Sequence, residues 1–185
     1  MITSNNYIEM KPQFFKNSLI LTFAFAMLFS SCLKDDRYID YSKVGTLIEL
    51  PLAAYNPNNL GYKLLVKTYK QSPTPAELPV VINVASPEPL GTDLKVTLAV
   101  DAAALANYNT ANNKSFIILP PVAYTVSSLQ SIISAGTRTT QVVFKINTAV
   151  IDKTITNYVL PVTLVDASGE KISNYKTVYY NIKVI

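Results

Sequence analysis

Side chains that commonly carry catalysis are scarce in this 185-residue sequence, which contains no histidine and one cysteine, Cys32. Without an imidazole, the chain lacks Ser-His-Asp and Cys-His nucleophilic sites, histidine metal ligands and the usual proton carrier near neutral pH. GxSxG, phosphate-loop and GxGxxG patterns are also absent from the sequence. We therefore predict no catalytic residue and expect that the protein is not an enzyme.

Carboxylates are the remaining catalytic resource, and only Glu9 of the 12 Asp and Glu residues precedes Cys32. Glycoside hydrolysis needs two carboxyl groups that face each other at about 5–10 Å. Most acidic residues after Cys32 fall at predicted turns, and their spacing indicates no such pair. The sequence has no Asp-x-Asp-x-Asp calcium loop either. We predict no metal site and no cofactor.

Cys32 closes a segment that is typical of secretory signal peptides. The apolar run 19–29 follows Lys11 and Lys16, and the small residues Ser30-Ser31 stand directly before the cysteine. The run is shorter than the ~20 residues that a membrane-spanning helix needs. A signal that ends on cysteine resembles the lipobox of bacterial lipoproteins, which implies that Cys32 becomes the acylated first residue of the mature chain. The alternative is an ordinary buried thiol.

The charged residues after Cys32 carry a second prediction, about location. Lys34, Asp35 and Asp36 resemble the short acidic export signal of Bacteroidetes lipoproteins. That resemblance implies a protein held by lipid in the outer membrane and exposed on the cell surface, with the membrane as a partner through its N-terminal anchor. The alternative is that these residues are only part of a solvated tether.

The sequence divides into a signal peptide at residues 1–31, a tether at 32–43 and one folded domain at 44–185. A domain of that length can bury a real core without disulfides. The translation start is either Met1 or Met10, since the basic segment that begins at Met10 is the more compact one. A formal net charge of +4 is too small for the basic patch of a nucleic-acid-binding protein, so we expect no nucleic-acid partner.

Apolar and polar residues alternate with period two through most of the domain, which is typical of half-buried strands. Strands are predicted at 45–54, 61–69, 79–85, 93–100, 116–119, 124–126, 140–147, 158–165 and 176–185. Asp101 is a candidate N-cap for a helix over 102–109, expected to pack on a sheet edge and to end at Asn112-Asn113. Pro79 and Pro161 fall within predicted strands, so they should lie at edges, strand starts or bulges. The pattern predicts an all-β, immunoglobulin-like antiparallel β-sandwich with one short inserted helix.

Several segments together resemble one family of domains. They are Val96–Asp101, the helix through Leu105 and Tyr108-Asn109, Phe116–Pro120, Tyr124-Thr125, Ile133–Thr137 and Tyr158–Val162. The family is a domain of unknown function common in Bacteroidetes surface lipoproteins, and the resemblance covers residues 79–185. It implies an immunoglobulin-like sandwich with an inserted helix, often the N-terminal domain of a glycan-handling lipoprotein, and it transfers no catalytic residue.

Tyrosine is the side chain left for ligand binding, because its flat face can stack on a sugar ring. Tyr55 and Tyr62 flank the turn-forming segment 56–59 and are the candidate ligand-binding residues. The alternative is that they are half-buried strand residues with a wet hydroxyl group. We predict a surface-anchored, non-enzymatic lipoprotein that serves as an accessory glycan-binding or spacer module in polysaccharide capture, beside an outer-membrane uptake complex. The alternative function is a structural or assembly protein that pairs through an exposed strand edge.

Overall fold

The structure is a computed structural model that describes residues 45–54 and 64–185, all within one compact unit, Tyr41–Ile185. The strands are β1 (Leu47–Glu49), β2 (Leu64–Tyr69), β3 (Ala76–Ala85), β4 (Leu94–Val100), β5 (Ile117–Ile118), β6 (Tyr124–Val126), β7 (Gln130–Ile133), β8 (Thr139–Ile146), β9 (Tyr158–Asp166), β10 (Lys171–Ile172) and β11 (Thr177–Val184). The α-helices are α1 (Pro51–Ala54) and α2 (Ala102–Asn112), and single 3-10 turns cover Pro121–Ala123 and Thr148–Val150.

The strands form two sheets that face each other. The front sheet has the order β10-β1-β3-β8-β6, and the back sheet has the order β2-β11-β9-β4-β7, with β5 also paired to β9. Most pairings are antiparallel, while β1–β10, β2–β11 and β5–β9 are parallel. The predicted all-β sandwich with one short inserted helix is confirmed. Within the described ranges, no helix is long and apolar enough to cross a bilayer.

Alternate residues of each strand fill the space between the sheets. In β8, Val142, Phe144 and Ile146 are buried, while Gln141 and Lys145 are exposed, as the alternation predicts. Burying one such side chain stabilises the fold by about 1.5–3 kcal/mol. Because the described ranges contain no cysteine, this apolar packing is what holds the two sheets together.

Strand β9 is buried on both faces, which period-two alternation does not predict. Val159 and Thr163 point outward from the sandwich, yet they are 0% and 4% exposed. Helix α2 covers this outer face: the rings of Tyr108 and Tyr179 lie 4.6 Å apart, and the Tyr179 hydroxyl donates to the Ala104 carbonyl at 3.3 Å. The helix therefore packs on the face of the back sheet, and the expectation that it packs on a sheet edge is wrong.

The bounds of α2 follow from its caps. The Asp101 carboxylate accepts a hydrogen bond from the Ala104 amide at 2.9 Å, so the predicted N-cap is confirmed. At the other end, Asn113 adopts the left-handed conformation with φ of 50°, which asparagine tolerates better than most residues. The Asn113 amide donates to the Thr110 carbonyl, so the helix ends at the asparagine pair, as predicted.

Pro79 in β3 and Pro161 in β9 have no backbone N–H group. Both lie where no neighbouring strand needs one. At Pro79, β3 pairs with β8, but β1 reaches only Asn83–Ala85, so the other flank of Pro79 has no strand among the described residues. At Pro161, β9 pairs with β11 on one side. On the other side, β4 reaches only Val162 and β5 only Val159, which leaves a gap at the proline. Pro79 thus lies at a local edge, as predicted, whereas Pro161 lies within a central strand, at a position that has no strand partner on one side.

Three short elements depart from the predicted pattern. Strand β1 is only three residues long, because Pro51 begins the helical turn α1 where a longer strand was predicted. Strand β7 (Gln130–Ile133) and the two-residue β10 were not predicted, since neither is long enough to show a clear alternation. Strand β10 is the element that builds the candidate site.

Candidate functional site

The predicted site residues lie outside the part of the chain that the structure describes. They are Cys32, Lys34, Asp35, Asp36, Tyr55 and Tyr62. Their roles in lipid attachment, export and ligand binding therefore stay predictions. The tyrosines within the described ranges are the other aromatic side chains that could offer a stacking face.

Tyr175 differs from every other tyrosine in the described ranges, because it alone is exposed, with 44% of its surface accessible. The remaining six are half-buried or buried, at positions 69, 108, 124, 158, 179 and 180. Burial raises the pKa of Tyr180 and also, by a smaller effect, that of Tyr69. These tyrosines serve as amphipathic packing residues, so Tyr175 is the aromatic ring that a ligand can reach.

Tyr175 lines a groove along the outer edge of the front sheet. The groove has a volume of about 320 Å³, which is at the small end of the range for ligand sites. Its lining residues come from β1, β10 and the segment after β10: Leu47, Lys171, Ile172, Ser173, Asn174 and Tyr175. Five of these six residues are consecutive in sequence, so one short segment and one neighbouring strand supply the described part of the lining.

A tight turn connects β9 to β10 at this edge of the front sheet. Ser168 and Gly169 have φ of 49° and 93°, in the left-handed region where glycine carries no steric penalty. The Ser168 hydroxyl donates to the Lys95 carbonyl at 2.9 Å and ties the turn to the back sheet. Strand β10 then runs parallel to β1, with Lys171 opposite Leu47.

Backbone hydrogen bonds hold the groove in shape after β10 ends. The Ser173 amide donates to the Ile48 carbonyl at 2.9 Å, and the Leu50 amide donates to the Tyr175 carbonyl at 2.8 Å. The Ser173 hydroxyl also accepts from the Tyr175 amide at 3.1 Å. Since both ends of Ser173–Tyr175 are bound to β1 and the residue that follows it, this segment loses little further freedom when a ligand binds.

The groove combines the groups that recognise a sugar. Leu47 and Ile172 contribute apolar surface, Tyr175 contributes an aromatic face, and Asn174 and Lys171 contribute polar groups. Within the described part of the chain, no carboxylate lines the groove. Across residues 45–54 and 64–185, no group of three His, Cys, Asp or Glu side chains is placed to hold a metal ion. This combination of apolar, aromatic and polar groups is of the kind that lines sites for small polar rings.

Sequence reasoning missed Tyr175 because it predicted no turn at residues 173–175. The pair Ser173-Asn174 consists of two turn-forming residues directly before the tyrosine, and this was the available indication.

Residues 43–171 match the model of a family described as a "-like, N-terminal domain". The match spans more than half of the sequence, and the chain belongs to this family of N-terminal domains. No curated protein matches the sequence.

Solved structures from Bacteroides share the fold. One is a multidomain protein including DUF1735 from Bacteroides ovatus, with 17% identity and a TM-score of 0.59, covering 76% of this chain and 45% of that one. A proposed carbohydrate-binding protein from Bacteroides ovatus has 16% identity and a TM-score of 0.52, covering 66% and 36%. EndoBT-3987 from Bacteroides thetaiotamicron, solved with a Man5GlcNAc product, has 21% identity and a TM-score of 0.54, covering 65% and 28%.

These comparisons confirm the predicted resemblance to a Bacteroidetes family of immunoglobulin-like domains of unknown function. The chain spans less than half the length of each of these solved relatives. At these identities, the shared property is the sandwich fold, and the groove of this chain has to be judged on its own residues.

Proposed function

We propose that this protein is a non-enzymatic accessory module of a surface lipoprotein, and that it binds glycan in the groove beside β10. One observation carries the proposal: the single exposed tyrosine of the described ranges lies in a groove whose backbone is already held in place. Tyrosine combines a large apolar face with a polar hydroxyl, which suits the alternating apolar and polar surface of a sugar ring.

The groove is shallow, so binding should be modest. One aromatic face and a few polar groups suit a dissociation constant on the order of 1 mM to 1 μM, or about −4 to −8 kcal/mol. Such affinity is useful when many modules on a surface engage one long polysaccharide, because the separate weak contacts reinforce one another.

Two of the fold relatives support the choice of ligand class. One is a proposed carbohydrate-binding protein, and the other is solved with a Man5GlcNAc product. They share the sandwich with this chain, and their names motivate glycan as the first ligand to test.

The predicted anchor completes the proposal. Acylation of Cys32 would hold the chain in the outer membrane, and Lys34, Asp35 and Asp36 would direct it to the cell surface, beside an uptake complex.

The sandwich geometry suits a spacer as well. Leu47 lies opposite Ala85 at the end of β3, whereas Ile185 bonds to Gln71, shortly before β3 begins. Leu47 and Ile185 thus lie toward opposite ends of the sandwich.

The proposal is tested by calorimetry on the full chain in mild detergent, against a panel of plant, host and microbial polysaccharides. Tyr175→Ala should lower affinity by about tenfold, because it removes the stacking face. Tyr175→Phe is the matched control, which keeps the ring and should bind nearly as wild type does. Tyr55→Ala and Tyr62→Ala test the sites predicted from sequence. Absence of binding to every polysaccharide would refute the glycan-binding proposal.

A second candidate function is assembly through the edge strand β2. This strand is six residues long, contains no proline and only one charged residue, and exposes 54% of Val66. Among the described residues, β2 pairs with β11 and with no other strand. An edge of this kind can accept a strand from another chain. Light scattering after size-exclusion chromatography tests this function, and Val66→Lys should shift any oligomer to monomer.

A further inference from the structure

We propose that the groove beside β10 prefers acidic glycans, in which sugars carry carboxylate or sulfate groups. This inference rests on the proposed glycan-binding function and names its ligand class. It is carried by Lys171, which lines the groove within the same short segment as Tyr175. Among the residues that the structure describes, the lining includes this one cation and no anion.

The nearest acidic residue on β1 is directed away from the groove. Glu49 lies two residues after Leu47, and its carboxylate accepts a hydrogen bond from the Asn83 side chain at 3.3 Å. Asn83 belongs to β3, and β3 and β10 flank β1 on opposite sides. The carboxylate therefore points toward β3, so that among the described lining residues the Lys171 ammonium group is the charge that a ligand meets.

Glu170 directly precedes Lys171 but is not part of the lining. Its amide donates to the Ala167 carbonyl at 3.0 Å, which places it in the tight turn that leads into β10. Glu170 thus lies in the turn, one residue before β10 begins at Lys171.

The spacing of Lys171 and Tyr175 suits a charged sugar in a longer chain. The two residues are four positions apart, and their backbones are separated by at most about 14 Å. Asn174 lies between them and offers both a donor and an acceptor. A ring stacked on Tyr175 can thus present the acid group of a linked sugar to Lys171. Lysine is exposed here, so the ion pair should change affinity by up to about fivefold.

The test compares three ligands on the full chain by calorimetry: polygalacturonate, a sulfated galactan and the neutral glucan dextran. At low ionic strength, one or both acidic polymers should bind about fivefold more tightly than dextran. Comparing polygalacturonate with the sulfated galactan shows whether the groove prefers carboxylate or sulfate groups. Raising the salt concentration to about 0.5 M should remove most of this preference, because screening weakens an exposed ion pair.

Lys171→Gln should abolish the preference, while Lys145→Gln on β8 is the matched control and should leave it unchanged. Equal binding of acidic and neutral polymers, with no effect of Lys171→Gln, would overturn this inference and leave the glycan-binding function standing. Loss of acidic-polymer binding in Lys145→Gln to the same extent would also overturn it, since it would indicate a diffuse charge effect. No binding to any polymer would overturn both.

Discussion

Asn109 near the end of α2 and Phe116 before β5 are joined by two hydrogen bonds. The Asn109 side-chain amide donates to the Phe116 carbonyl at 2.9 Å, and the Phe116 amide donates to the Asn109 side-chain oxygen at 3.1 Å. The Asn109 side chain thus bonds to the Phe116 backbone as a neighbouring strand would. It fixes the segment that leads from α2 to β5 in the back sheet. Phe116 also packs near Tyr108, with ring centroids 6.1 Å apart.

Asn109→Asp should destabilise the domain by about 1–3 kcal/mol, measured by urea unfolding. The aspartate keeps the acceptor for the Phe116 amide, but it replaces the donor by a second acceptor that faces the Phe116 carbonyl. Asn107→Asp is the control, because Asn107 is exposed on the same helix. Equal unfolding free energies for the two variants would mean that the paired hydrogen bonds contribute nothing.

The core should respond to truncation far more than the outer faces. Leu98, Phe144 and Leu164 are at most 1% exposed, and replacing any of them with Ala should lower the unfolding free energy by about 2–5 kcal/mol. Lys95→Ala and Lys145→Ala remove exposed side chains and should stay within about 0.5 kcal/mol of wild type. Chemical denaturation of all five variants checks this ranking, and a reversed order would contradict the assignment of strand faces.

Stability should fall at alkaline pH because of Tyr180. Burial raises the pKa of its phenol above the ordinary value of 10.0, and the nearby Tyr69 raises it further. Above pH 10, the unfolded chain releases this proton while the folded chain retains it, so the unfolding free energy falls as pH rises. The contribution of the Tyr180 phenol to the unfolding free energy is fully present below pH 10. It is lost as the pH rises from 10 toward the higher pKa of the folded state.

Thermal unfolding between about pH 8 and pH 11.5 measures this loss. Tyr180→Phe removes the titrating group and should flatten the alkaline limb of the curve. Tyr175→Phe, which removes an exposed hydroxyl group instead of a buried one, is the control. Identical alkaline limbs for wild type and Tyr180→Phe would place the pH dependence in other groups.

Cys32→Ala should release the protein from the membrane fraction or block its processing. Two or more acyl chains anchor a protein stably, and without the cysteine no chain can be attached. Fractionation with mass spectrometry of the mature N-terminus measures both effects. A variant that is cleaved and membrane-bound as fully as wild type would refute the lipid-attachment prediction.

Surface location is tested separately with external protease on intact cells. Wild type should be digested, and a variant with Asp35→Ala and Asp36→Ala should be protected if the acidic pair directs export. Equal digestion of the two proteins would mean that Asp35 and Asp36 are only part of a solvated tether and do not direct export.

Local patterns in the sequence were sufficient for the longer strands and for α2, because these depend on neighbours along the chain. Alternation identified the buried face of β8 through Phe144, and Asp101 and Asn113 marked the ends of α2. The prolines also followed a local rule, since Pro161 cannot donate to a ladder and lies in the gap between β4 and β5.

The tertiary structure alone decided which outer faces are covered and where the groove forms. Val159 and Thr163 are buried on the outer face of the back sheet, and α2 reaches this face through the contact of Ala104 with Tyr179, 75 positions farther along the chain. The groove depends on the pairing of Lys171 with Leu47, which lie even farther apart in sequence. A two-residue strand such as β10 is stable only when its partner is present, so its own residues carry no periodic pattern from which it could be predicted.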